Sequence, residues 1–243
     1  MTLLTAELAP QGVTYPSSDG KPMAETDVHL RWMIRLIELL RRQYAGTPTY
    51  VSGNLLLYYV EGNPKKRVAP DVFVVKGVAQ HDRRVFKLWE EGIAPQVVIE
   101  VSSKGTAEED LWQKPRIYER LGVREYFLFD PLAEYLEPAL IGFRRIDGDD
   151  LDAGLVRMEL NDSETLISEE LGMLLRLEGR DLVLIDRATG QRLKSAAESE
   201  LEERAARERA EDRAGAAEAA LQQAQEQRKQ LEAELARLRN ESH

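Results

Sequence analysis

The segment Val97-Val98-Ile99-Glu100-Val101-Ser102-Ser103 decides how this chain is read. Four of its first five residues are β-branched aliphatics, which favour strands. Because strand side chains alternate between faces, a run apolar at every position belongs to a strand covered on both sides, near the middle of a sheet. Glu100 breaks that run. Burying a carboxylate without a partner is costly, so its place at the strand's end puts it at the sheet edge, where a counter-charge or ligand can meet it.

On the N-terminal side, Val68–Val75 repeats the pattern, with Asp71 opening the apolar run Val72-Phe73-Val74-Val75 directly after Pro70. A further strand is expected over Tyr50–Val60, interrupted by Asn54. Thr26 caps an expected helix running to about Tyr44. Its apolar face collects Trp32, Met33, Leu36, Ile37, Leu39 and Leu40, with His29 near the middle of the arc. On the C-terminal side, Thr106-x-x-Glu109 has the form of a capping box opening a helix that Gly122 stops near Leu121. At about 100° per residue, Asp110 and Lys114 fall inside the apolar arc of Ala107, Leu111, Ile117, Tyr118 and Leu121, although Pro115 must kink or restart the helix. Glu125–Phe129 is the next strand, ended by Asp130-Pro131. Strands alternating with helices predict an α/β protein with a central mixed sheet flanked by helices. Short alternating runs over residues 135–191 predict a β-rich appendage.

The whole chain has 243 residues, 33 Lys+Arg against 43 Asp+Glu, and a net charge of −10. A general basic coat for nucleic acid is excluded, since phosphates repel such a surface unless a local patch or metal intervenes. The absence of cysteine excludes disulfides, thiolate metal sites and cysteine nucleophiles. No stretch approaches the roughly 18 apolar residues of a membrane helix, and Met1–Pro10 lacks a basic leader pattern. The expected location is cytoplasmic. Residues 1–25 read as an irregular arm and residues 26–191 as the main domain. Residues 192–243, with 10 Lys/Arg, 12 Asp/Glu and no aromatic, read as a long helix. The seam Ala214, Ala217, Leu221, Ala224, Arg228, Leu231, Leu235 and Leu238 predicts a coiled coil that pairs two chains.

Two carboxylates on neighbouring strands and one inward lysine suit metal-assisted phosphodiester cleavage. Mg²⁺ takes oxygen ligands and keeps several waters; it acidifies a bound water and offsets charge on the phosphorus oxygens, which an ammonium also stabilises. Each residue alone has a structural reading too: a turn-forming Asp, an i,i+4 bridge between Asp110 and Lys114, a core histidine at His29. Tyr118 reads as core with its hydroxyl on the lysine, and Asn54 as a group that could hold a water or phosphate. Lys65-Lys66-Arg67 and Arg144-Arg145 could rim a local basic groove, and His81 and Arg83-Arg84 lie in a loop that could touch phosphates.

At these residues the chain resembles the PD-(D/E)xK nuclease superfamily and, more narrowly, the restriction-endonuclease-like proteins called the Uma-two family. The matching stretches are Val68–Val75, Ala94–Ser103, Asp110-x-x-x-Lys114-x-x-x-Tyr118, Gly122–Pro131, Leu166–Gly172 and Thr189-Gly190, within about residues 22–200. The resemblance implies a restriction-endonuclease-like fold and Mg²⁺-dependent (or Mn²⁺-dependent) DNA cleavage. It implies Asp71 and Glu100 as metal carboxylates, with the Val101 carbonyl completing the set and the helix of His29 flanking the cleft. Ser102 stands where the superfamily has its lysine; Lys114 is the candidate replacement and Lys104 the runner-up. The expected enzyme is a homodimer acting on DNA. The alternatives are an inactive scaffold recruiting partners through its coiled coil, and a metal-dependent hydrolase of RNA or nucleotides.

Overall fold

The computed structural model describes residues 13–18, 26–147, 154–161 and 163–241, excepting the side chains of residues 234–236 and 238–241. Most of the expected N-terminal arm therefore lies outside the described residues. The elements in order are α1 (Asp27–Gln43), β1 (Thr49–Ser52), β2 (Leu57–Tyr58), β3 (Arg67–Val68), β4 (Val72–Lys76), β5 (Phe86–Lys87), α2 (Leu88–Glu91) and β6 (Val97–Val101). They continue with α3 (Ala107–Trp112), α4 (Lys114–Leu121), β7 (Glu125–Phe129), β8 (Leu140–Ile146), β9 (Gly154–Arg157), β10 (Thr165–Ser168), β11 (Met173–Glu178), β12 (Asp181–Asp186) and α5 (Ala196–Glu241).

A six-stranded sheet runs in the order β1-β4-β6-β7-β8-β9. Only β6 and β7 are parallel, and the α3–α4 crossover joins them. All other neighbours in this sheet are antiparallel. β6 lies between β4 and β7, so its apolar residues are covered on both faces, as the sequence predicts. Val97, Ile99 and Val101 enter a core with Trp32, Met33, Leu36, Leu39 and Leu40 of α1 and the leucines of the β10-β11-β12 sheet. Val98 packs on the opposite face with Tyr118 of α4, Tyr126, and Leu57 and Phe86 of the small β3-β2-β5 sheet. Full burial of each such large apolar side chain contributes about 1.5–3 kcal/mol.

Three sequence expectations change. Tyr50–Val60 and Val68–Val75 each break in two, because Gly53-Asn54 and Ala69-Pro70 take the chain from the central sheet to the small one; the Pro70 ring has no N–H for a ladder. The helix over 106–121 divides at Gln113, ahead of Pro115. Residues 135–191 are not all appendage: β8 and β9 pair onto β7 and complete the central sheet, and only β10–β12 form a separate one.

The chain divides into two compact units, Met1–Leu193 and Lys194–His243. In the second, Ser195 and Glu198 exchange hydrogen bonds, Ser195 N donating to Glu198 Oε2 (2.8 Å) and Glu198 N to Ser195 Oγ (3.2 Å). That capping box opens the 46-residue α5. Leu221 and Leu231 of the expected seam are exposed in this single chain, while the Leu235 and Leu238 side chains lie outside the described residues.

Candidate active site

Strand alternation aims Glu100 at the α3–α4 side of the sheet, where it is fully buried. Tyr118 donates its hydroxyl to Glu100 Oε1 at 2.5 Å. Glu100 Oε2 meets Lys114 Nζ at 3.0 Å and the Asp71 backbone N–H at 3.2 Å. Asp71, at the corner before β4, accepts on Oδ2 the Val101 N–H (2.9 Å) and His29 Nε2 (3.1 Å). Asp110, 1% exposed, pairs through Oδ1 with Lys114 Nζ at 2.8 Å and accepts the Ser102 hydroxyl on Oδ2 at 3.2 Å. Residues from α1, the β4 corner, β6, α3 and α4 thus meet at one end of the sheet.

Local sequence explains the meeting. Gly53 passes against the corner, where any Cβ would lie 1.9 Å from the Asp71 carbonyl oxygen and 2.7 Å from Ile37 Cδ1. Asn54, at φ +48°, donates its N–H to Pro70 O at 2.8 Å. The backbone of these two residues presses the corner toward β6. On the crossover, Thr106 does not form the expected capping box: its hydroxyl accepts the Ser103 N–H at 3.1 Å and shapes the turn after β6. The restart at Lys114 keeps both Asp110 and Lys114 turned inward.

Glu100 and Asp110 therefore share the Lys114 ammonium, and the third carboxylate, Asp71, pairs with the His29 imidazole. For Asp71, burial pushes the carboxyl up, but the His29 hydrogen bond and charge, Lys114 and the Val101 N–H outweigh it and the net shift is downward. Burial also dominates at Glu100, and with Asp71 and Asp110 close by it outweighs Lys114 and raises the carboxyl well above its ordinary value. Asp110 is raised for the same first reason. Burial would discharge Lys114, yet Glu100, Asp110 and Asp71 together hold it firmly protonated.

The remaining candidates separate. Lys104 is exposed in the turn after β6 and forms no ion pair among the described residues. Tyr118 orients Glu100 rather than the lysine, because its ring is buried beneath the end of β6. Val101 touches the site through its N–H. The Asn54 side chain is exposed, and its backbone is what shapes the corner. Arg83 is locked onto Glu91 (2.6 and 3.0 Å) and stacked over Tyr50. His81 and Arg84 are exposed. Arg144 binds the buried Glu125, and Arg145 binds Asp147 and the Glu119 carbonyl. Register sets Arg144 opposite Glu125, at the far end of β7 from the Glu100 cluster, so this pair does not rim the site. Lys65 and Lys66 are exposed beside β3, which leads into the Asp71 corner. Sequence reading did not show that His29 bonds to Asp71; the available signal was one imidazole in an otherwise apolar helical face.

Carboxylates are hard oxygen donors of the type Mg²⁺ takes. Both side-chain hydrogen bonds of Asp71 fall on Oδ2, and Oδ1 accepts none among the described residues. No group of three or more His, Asp or Glu side chains is arranged to enclose a metal among the described residues. An ion held by one or two carboxylates, with water and substrate oxygens completing its shell, is the ordinary Mg²⁺ arrangement, and the residues fit that.

Residues 4–177 match the Uma2 family, described as "Putative restriction endonuclease", and the chain belongs to that family. The match starts earlier than the sequence resemblance and stops within β11, so Thr189-Gly190 falls outside it. Among solved structures, a "putative nuclease belonging to DUF820" from Anabaena variabilis is similar at 13% identity, over 62% of this chain and 76% of that one, with a TM-score of 0.44. No curated protein matched. Among the described residues no helix is long and apolar enough to cross a membrane.

Proposed function

We propose that the chain is a Mg²⁺-dependent DNA endonuclease, with Asp71, Glu100 and Lys114 as its catalytic residues. The observation that carries the reading is the convergence of Lys114 Nζ and the Asp71 corner on Glu100 Oε2, within 3.0 and 3.2 Å. Bound Mg²⁺ would supply an acidified water and charge compensation at phosphorus. Asp71 Oδ1, Glu100 and the Val101 carbonyl would hold it. Tyr118 fixes the Glu100 carboxylate against rotation. Asp110 holds the Lys114 ammonium beside Glu100, and the Ser102 hydroxyl donates to Asp110, so Ser102 supports the lysine through that acid. Lys114 in turn keeps a fixed positive charge beside the scissile phosphate and orients the attacking water. The buried, water-poor surroundings strengthen each of these interactions.

Duplex cleavage needs a centre for each strand, and we infer a homodimer joined through α5. Leu221 and Leu231 of the seam are exposed in the single chain, and a second copy would bury them along the heptad pattern.

The test is a cleavage assay on supercoiled plasmid, single-stranded DNA and RNA with Mg²⁺ or Mn²⁺, wild type beside Glu100→Gln. The expected result is metal-dependent plasmid nicking that Glu100→Gln lowers by about a hundredfold or more. RNA cleavage alone would redirect the substrate. Absence of both cleavage and carboxylate-dependent metal binding would leave a scaffold.

A further inference from the structure

We propose that His29 is a positioning residue that fixes the plane of the Asp71 carboxylate, so that one oxygen is held by the protein and the other faces the divalent ion. The inference rests on the metal-dependent reading above and adds a residue that reading does not use.

Thr26 caps α1 and its side chain accepts the His29 N–H at 3.2 Å, which anchors the third helical residue at the helix entry. The apolar face of Trp32, Met33, Leu36, Leu39 and Leu40 then holds α1 on the sheet. With both constraints in place, the imidazole, 3% exposed, reaches the Asp71 corner beyond the end of the core. An ionised carboxylate only accepts, so His29 Nε2 carries the hydrogen and donates it to Oδ2. The Val101 N–H, from another element, donates to the same oxygen. Turning the carboxylate out of this plane would break both bonds. Oδ2 is thus committed to the protein, and Oδ1 is presented outward. Asp71 is 16% exposed at its side chain, against 3% for His29, so the acid faces the ligand and the imidazole stands behind it.

Partners that orient a ligating group typically change metal affinity by about 10- to 100-fold when removed. The experiment is calorimetric titration of the full chain with Mn²⁺ alone, for wild type, His29→Gln, His29→Leu and Asp71→Asn, with circular dichroism of each. The Gln amide can donate from near the position of Nε2; Leu fills the space without donating. His29→Leu is expected to weaken Mn²⁺ binding by about 10- to 100-fold, and His29→Gln to restore it to within about threefold of wild type. If His29→Leu fails to fold, His29→Asn, whose amide is too short to reach Oδ2, replaces it with the same expectation. Wild-type affinity in the non-donating variant overturns the proposal, as does a Gln variant no better than Leu. Wild-type binding indifferent to Asp71→Asn, or absent, overturns the metal-centre reading and this inference with it. Intact Asp71-dependent binding that ignores position 29 overturns only the inference.

Discussion

Glu100 and Asp130 are two buried acids at the same end of neighbouring parallel strands, and they have opposite surroundings. Asp130, one residue beyond β7, accepts five backbone N–H bonds: from Leu132 and Ala133 on Oδ1 and from Glu134, Tyr135 and Leu136 on Oδ2. Its negative charge is spread over neutral donors of its own loop, and the loop is closed by it. Glu100 has one phenol, one backbone N–H and an ammonium that it shares with Asp110, with Asp71 alongside. A strand-end carboxylate is therefore a structural clamp where backbone donors satisfy it. Where acids outnumber the cation they share, as at Glu100, the cost of burying the carboxylate is not fully offset. Glu125 falls on the structural side: Ser168, Arg144 and the backbone N–H groups of Glu169 and Glu170 surround it and tie β7 to the β10–β12 sheet.

That contrast can be broken by substitution. The largest expected effect is on activity: Lys114→Met should lower cleavage by about a hundredfold or more, whereas Lys104→Ala should leave it unchanged in the same plasmid assay. Because Lys114 compensates two buried carboxylates, its loss should also cost about 3–5 kcal/mol in urea unfolding. Asp130→Asn should behave in the opposite way, losing roughly 1.5–3 kcal/mol of stability as the amide hydrogens oppose backbone donors, with Mn²⁺ affinity retained by calorimetry. If Asp130→Asn removed metal binding and Glu100→Gln only destabilised the fold, the distinction drawn here would be reversed.

The pH dependence sharpens the comparison. The folded-state pKa of Glu100 is raised above its ordinary 4.5, so the native state binds that proton more tightly than the unfolded chain. Metal-free stability should therefore rise as pH falls from the raised value toward 4.5, and Glu100→Gln should flatten the rise. Asp71, lowered from 3.8, works the other way: its contribution is complete above 3.8 and is lost as pH falls through its folded value. Urea midpoints across about pH 2–8 measure the balance. Divalent-ion binding should weaken over the range in which stability rises, since a protonated Glu100 cannot ligate. The smallest effect is expected at Ser195→Ala, about 1 kcal/mol through the capping box, read as fraying at the start of α5 by hydrogen exchange.

Two capping patterns show where local reading succeeds and fails. Thr106-x-x-Glu109 has the right letters, but the Ser103 turn claims the Thr106 hydroxyl. Ser195-x-x-Glu198 has the same letters and forms the box, its serine hydroxyl taken by no competing turn among the described residues. Likewise Asp110 and Lys114 were legible as inward charges from helical spacing alone. Their union with Glu100, and the support from Ser102, depended on how the crossover lies across β6. Arg144 and Arg145 looked like a basic rim until strand pairing set them beside Glu125 and Glu119.

What the chain's residues determined unaided was the periodic and the interrupted: the core strand of Val97–Val101, the helix face around Leu36, the acids and lysine that disrupt buried patterns. Such signals are local, because the pleat and the helical turn repeat within a few residues. Tertiary structure alone decided which of those charges share a partner, that His29 stands behind Asp71, and that β8 and β9 complete the main sheet. Those outcomes turn on contacts between segments up to 42 residues apart, where a hydrogen bond depends on ångström-level placement that no spacing in the sequence encodes.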